Sequence, residues 1–126
     1  MGYTTEFEGH VTIDPPLNMT QQELLRDFAG RDHRHESGMP GIYCQWIPTK
    51  DSTRLIWDGG EKFYDSVEWM EYLIEHFIAG DSRDRIVFTH ERKVNGVIHA
   101  SGEEPSDVWR LVVTDNVVTV EHPQWG

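Results

Sequence analysis

The sequence predicts an α+β fold in which two helices pack on a mostly antiparallel sheet. Three observations carry that expectation. Residues 21–29 and 66–79 join helical apolar spacing to capping residues at their N-terminal ends. Residues 42–57 read as a hairpin between them, and the C-terminal third alternates apolar and polar residues between turn signals. The resulting order, β-α-β-β-α-β with extra C-terminal strands, permits a ferredoxin-like core with an extended sheet and equally permits other two-layer arrangements. With 126 residues the chain has the size of one domain, and no repeat or linker divides 1–126.

Along the chain, residues 3–13 alternate loosely around Phe7, Val11 and Ile13, which predicts a strand interrupted near Gly9 and ended by Asp14-Pro15-Pro16. Thr20 and Glu23 have capping-box spacing, with Met19 and Leu24 as staple residues. Leu24, Leu25 and Phe28 form the apolar stripe of this first helix, and Gly30 its end. Residues 31–41, polar and aperiodic, read as a mobile loop. In the hairpin, Cys44 and Trp46 share one face, and Tyr43, Gln45 and Ile47 the other. Asp58-Gly59-Gly60 is a turn, and residues 61–64 allow a short strand.

The second helix has Asp65 as its cap, Glu68 at N3, Tyr64 and Trp69 as staple residues, a stripe of Val67, Met70, Leu73, Ile74 and Phe77, and Gly80 as its stop. Beyond it, residues 86–94 and 97–101 flank Asn95-Gly96, a dipeptide suited to the positive φ of a type I′ hairpin turn. Residues 108–114 and 117–122 flank a second tight turn at Asp115-Asn116, which completes a predicted four-strand meander.

Twenty-two acids against 11 bases give a formal charge of −11, which repels nucleic acid and anionic membranes and favours a basic partner. No stretch approaches the roughly 20 apolar residues of a membrane span, and the N-terminus lacks the pattern of a signal peptide. One cysteine cannot form an internal disulfide and fits a reducing compartment, so the expectation is cytoplasmic.

Chemistry-bearing patterns are sparse. Asp65, Glu68, Glu71 and Glu75 fall opposite the apolar stripe of the second helix, with Tyr72 among them and no Lys or Arg from 63 to 82. They form either a solvated face or a docking surface for a basic protein. Trp57, Asp58, Glu61 and Trp69 surround the glycine turn and would line a small-ligand groove, or else only the packed junction of hairpin and helix. His33 and His35 are weak metal candidates, since no paired zinc spacing accompanies them. His90 and His99 would approach each other across an Asn95-Gly96 hairpin. Cys44, in the context YCQW, reads as a buried thiol rather than a nucleophile. No phosphate loop, catalytic triad or cofactor motif is present.

The runs YTTEFEGHVTIDPPLN, IYCQWIPTKDSTRLIWDGGEKFYDSVEWMEYLIEHF and VNGVIHASGEEPSDVWRLVVTDNVVTV resemble those of a group of small uncharacterised proteins from actinobacteria and their phages. The WDGGEKFYD run followed by EWM, YLI and HF is the most specific part. Longer members of that group carry a glycine-rich insertion where this chain has residues 31–41. The resemblance implies an actinobacterial or phage setting and brings no site residues. The expectation is therefore a non-enzymatic, cofactor-free interaction protein that binds a basic patch, with a small enzyme or ligand-binding domain at Trp57–Trp69 as the alternative.

Overall fold

Alternation along the strands and helical spacing between them place one set of apolar side chains on a common side. The computed structural model describes residues 3–78 and 92–123. In chain order the elements are β1 (Glu6–Asp14), α1 (Met19–Gly30), β2 (Trp46–Pro48), β3 (Arg54–Trp57), α2 (Ser66–Leu73), a π-helical continuation (Ile74–Ile78), β4 (Lys93–Ser101), β5 (Val108–Thr114) and β6 (Val117–Glu121). The strands form one sheet in the order β2-β3-β1-β4-β5-β6, and every neighbouring pair is antiparallel. The fold is α+β. β3 lies between β1 and β2, the two strands that flank α1 in sequence, and β5 and β6 extend the sheet beyond β4.

Phe7, Val11, Ile13, Val94, Ile98, Ala100, Leu111 and Val113 are buried from the sheet, against Leu25 and Phe28 of α1 and Trp69, Met70 and Leu73 of α2. The aromatic residues divide into two groups. Phe7 meets Trp46, Trp57, Phe63 and Trp109 edge-on at 5.1–6.0 Å. Phe28 gathers His33, Trp69, Tyr72 and Phe77 at 4.4–5.8 Å. Such edge and offset contacts add to the burial of large apolar bodies. On the other face of the sheet Glu8, His99, Arg110 and Glu121 stand in register across four strands, as an antiparallel sheet with one solvated side allows.

Several elements differ from the sequence expectation. α1 begins two residues early: Asn18 is its cap, and the capping box is Asn18–Gln21, with Asn18 Oδ1 accepting from the Gln21 N–H at 2.8 Å and Gln21 Oε1 accepting from the Asn18 N–H at 2.8 Å. Met19, expected to staple the helix, is 64% exposed, and Leu17 is buried in its place. Gln21 Oε1 also accepts from the buried Arg92 guanidinium at 2.9 Å, a contact between distant parts of the chain that selects this box. β2 is confined to Trp46–Pro48, and residues 61–64 turn without pairing. Asp65 precedes α2 in a left-handed conformation (φ 60°) and makes no side-chain cap bond, and Tyr64 is 58% exposed and staples nothing. Gly80 and residues 86–91 lie outside the described residues.

The Asn95-Gly96 hairpin is replaced by a continuous strand. β4 runs through both residues and pairs with β1 from Lys93↔Asp14 to Ser101↔Glu6. β1 is likewise unbroken at Gly9, which pairs with Ile98. Both glycines serve close backbone approach. A Cβ on Gly9 would lie 2.8 Å from the Val97 carbonyl oxygen, and one on Gly96 2.6 Å from that of His10. The type I′ turn is at Asp115-Asn116, where φ is 45° and 74°. The Asn95 side chain accepts from the Asp115 N–H at 2.8 Å, and Asn116 Oδ1 accepts from the Val94 N–H at 2.7 Å, so this turn folds back onto the start of β4.

Candidate functional site

α2 is held by its inner side. Trp69, Met70 and Leu73 are buried in the core, and Trp46 Nε1 donates to the Ser66 carbonyl at 2.8 Å, fixing the start of the helix to the β2–β3 hairpin. The outer side is thereby fixed in direction. Asp65, Glu68, Glu71 and Glu75 are all exposed on it. Four acids elsewhere stand beside bases: Asp32 with Arg34, Asp51 with Arg54, Glu121 with Arg110 and Glu36 with His33. Among the described residues no base pairs with Glu68, Glu71 or Glu75.

Tyr72, expected within this acidic surface, is buried. Its ring stacks on Phe28 of α1 at 5.8 Å and 6° and touches His76 at 4.3 Å. The packing of α1 against that flank of α2 covers it, so Tyr72 is a core residue and the surface is a stripe of carboxylates alone.

The junction of hairpin and α2 does hold a cleft, of about 390 Å³, lined by Gly41, Ile42, Tyr43, Gln45, Glu61, Lys62, Tyr64 and Asp65. It differs from the expected groove. Trp57 is half-buried in the Phe7 group with Nε1 donating to Gln45 Oε1 at 3.0 Å, and Trp69 belongs to the Phe28 group. The two indoles therefore do not face one ligand space. Asp58 accepts from the Gly60 N–H at 2.7 Å and shapes the turn. Of the four residues named from sequence, only Glu61 lines the cleft. Trp69 lies beneath it: the Nε1 donor is fully buried and, among the described residues, is the one buried side-chain nitrogen or oxygen with no partner. A Cβ on Gly41 would lie 3.1 Å from that nitrogen and 3.0 Å from Asp65 Oδ2, so both polar atoms border the space left by the glycine.

His33 is buried, not part of a mobile metal loop. Its Nε2 lies 2.8 Å from the Phe28 carbonyl oxygen, which can only accept, and its Nδ1 lies 2.8 Å from Glu36 Oε2. Both ring nitrogens are taken up by protein partners and neither is open to a metal, while His35 is exposed. No group of three or more potential ligands converges among the described residues. His90 lies outside them, and His99 sits opposite Glu8 and Arg110. A cleft of about 410 Å³ adjoins His99, Trp109, Arg110 and His122, but its guanidinium is already paired with Glu121.

Cys44 is buried, and burial pushes its thiol up to about 12, far from the thiolate a nucleophile needs. Native protein at pH 8 is therefore expected to leave Ellman's reagent uncoloured, and to release one equivalent of chromophore only after denaturation. Rapid reaction of the folded protein would contradict the placement of Cys44.

No helix among the described residues is long and apolar enough to cross a membrane. Comparisons with family models, with curated proteins and with solved structures found no match for the chain.

Proposed function

We propose that this is a non-enzymatic interaction protein that binds a basic partner through Asp65, Glu68, Glu71 and Glu75. One observation carries the reading: an immobilised helix presents exposed carboxylates in series, with no base paired to Glu68, Glu71 or Glu75 among the described residues. Like charges at i, i+3 and i, i+4 destabilise an isolated helix by a few tenths of a kcal/mol each, so the pattern carries a small standing cost that a cationic partner would relieve. We read the elements from β1 to β4 as a ferredoxin-like unit extended by β5 and β6. The strand order and antiparallel pairing support this. The setting is cytoplasmic, in an actinobacterium or its phage, and a phage-borne copy would meet a host protein.

The test compares native protein with the Glu68→Lys, Glu71→Lys, Glu75→Lys triple variant as bait in an actinobacterial lysate. The variant should melt close to the native temperature, because exposed substitutions of this kind typically change stability by about 0.5 kcal/mol or less. A stoichiometric partner should be lost both in the variant and at raised salt, since exposed charges are screened beyond about 8–10 Å. Retention of that partner by the variant would place the interface elsewhere, and no partner at low salt would remove the reading.

A second reading has its own observation, the unpartnered Trp69 Nε1 beside the Tyr43–Tyr64 cleft. A small ligand whose acceptor group displaced the cover at Gly41 would satisfy it. Ligand-observed NMR against a fragment set should then give hits that Tyr64→Ala abolishes; hits insensitive to Tyr64 would dissociate them from this cleft.

A further inference from the structure

The acidic stripe lies beside a strand edge that nothing covers among the described residues. β6 is the last strand of the sheet, and β5 is its one partner there. The two-residue type I′ turn makes Thr114 and Val117 the first hydrogen-bonded pair. By antiparallel alternation Val117, Thr119 and Glu121 bond inward to β5, and the N–H and C=O groups of Val118 and Val120 point outward.

The two edges of the sheet are built differently. β2 is three residues long and ends in Pro48, two devices that discourage pairing with another chain. β6 has five residues, VVTVE, without proline, glycine or lysine, and leaves Val117 62% and Val120 40% exposed. Beside it, Glu71, Ile74 and Glu75 face Asn116, Val117 and Val118 across a cleft of about 350 Å³. A strand laid along β6 would direct every second side chain toward those two glutamates.

We propose that the partner of the acidic face enters as an extended basic segment that adds a strand to the outer edge of β6, its Lys or Arg residues alternating on the helix side to meet Glu71 and Glu75. This rests on the acidic-face reading and specifies its geometry. Charge complementarity selects this occupant over a second copy of the chain. Two copies paired edge to edge would bring together molecules that each carry a formal charge of −11, with no basic side chain on β6 to meet Glu71 and Glu75.

The probe is a short blocked peptide of alternating lysine and valine carrying a fluorophore, read by anisotropy. It is compared with the same peptide N-methylated at its central residues, which keeps every charge but cannot pair along either edge. Removing backbone pairing should weaken binding by about tenfold or more, and so should Val120→Pro, which deletes one outward donor and leaves the ladder to β5 intact. Glu71→Lys with Glu75→Lys should abolish binding, and bound peptide should shift the amide resonances of Val118 and Val120. Equal binding of the methylated peptide, lost only on charge reversal, would overturn the added strand and leave the acidic face standing. No binding of the unmethylated peptide would overturn the added strand, while the lysate capture judges the face separately. A dimer in sedimentation that Val120→Pro dissolves would give the edge to a second copy and also overturn the proposal. The methylated-peptide comparison uses native protein, so a poorly folded Val120→Pro variant leaves the test intact.

Discussion

Gly96→Ala is expected to destabilise the protein by about 3 kcal/mol, combining backbone strain with overpacking in a central strand pair. At φ 154° a Cβ would lie 2.6 Å from the His10 carbonyl oxygen and 2.7 Å from the Val11 Cα. Both contacts are backbone atoms of β1, which is paired on its other side with β3, so relief requires moving a strand in the middle of the sheet. The control is Gly59→Ala. Gly59 also has positive φ, 86°, but a Cβ there meets nothing within 4 Å, so its cost is the conformational one alone, about 1 kcal/mol. Urea unfolding followed by circular dichroism compares the two. Equal costs would mean that β1 and β4 do not approach at Gly96, and would restore a turn at Asn95-Gly96.

That dipeptide shows where local sequence stops being informative. Asn-Gly satisfies the turn geometry, but the ladder from Lys93 to Ser101 and the second close-approach glycine on β1 decide otherwise, and neither is visible within a short window. The start of α1 is the same kind of case. Asn18–Gln21 and Thr20–Glu23 both have capping-box spacing, and the contact of Gln21 with Arg92, 71 residues away, marks the one used. Elements governed by their own periodicity were legible: α2, with its buried Met70 and Leu73, the inward Cys44 and Trp46, and the strands β5 and β6 around a tight turn.

The candidate site divides along the same line. Glu68 and Glu71 of α2 and Glu75 of its π-helical continuation lie opposite the apolar residues, so helical spacing alone places them outside. Tyr72 lies at the margin of that arc, where the approach of Phe28 from α1 buries it. His33 sits in a polar run and is buried by Phe28, at the end of α1, and by Trp69, which sequence distance separates from it. The edge position of β6 follows from strand order, which short-range pattern does not carry.

Trp46→Phe is expected to cost about 2 kcal/mol more than Trp69→Phe, because the first loses a buried hydrogen bond and the second removes an unsatisfied donor. Both indoles are buried to within 1% of complete, and both substitutions remove the same atoms, so the loss of apolar burial is closely matched. The difference lies at the nitrogen. Trp46 Nε1 donates to the Ser66 carbonyl at 2.8 Å, and Ser66 is buried at the start of α2; phenylalanine would delete that bond, leave the oxygen its intrahelical role alone and loosen the hairpin from the helix. Trp69 Nε1 has no partner among the described residues, so phenylalanine removes an unsatisfied donor, and the relief offsets part of the cavity that the smaller ring leaves. Guanidinium unfolding of both variants, with the free energies extrapolated to water, decides the order. If the two costs are equal, the Trp69 indole is hydrogen-bonded in solution, and the cleft between Tyr43 and Tyr64 loses the feature that recommends it as a ligand site. If Trp69→Phe is the milder change, the donor is vacant, and the acceptor that would fill it is what a fragment screen should be designed to supply.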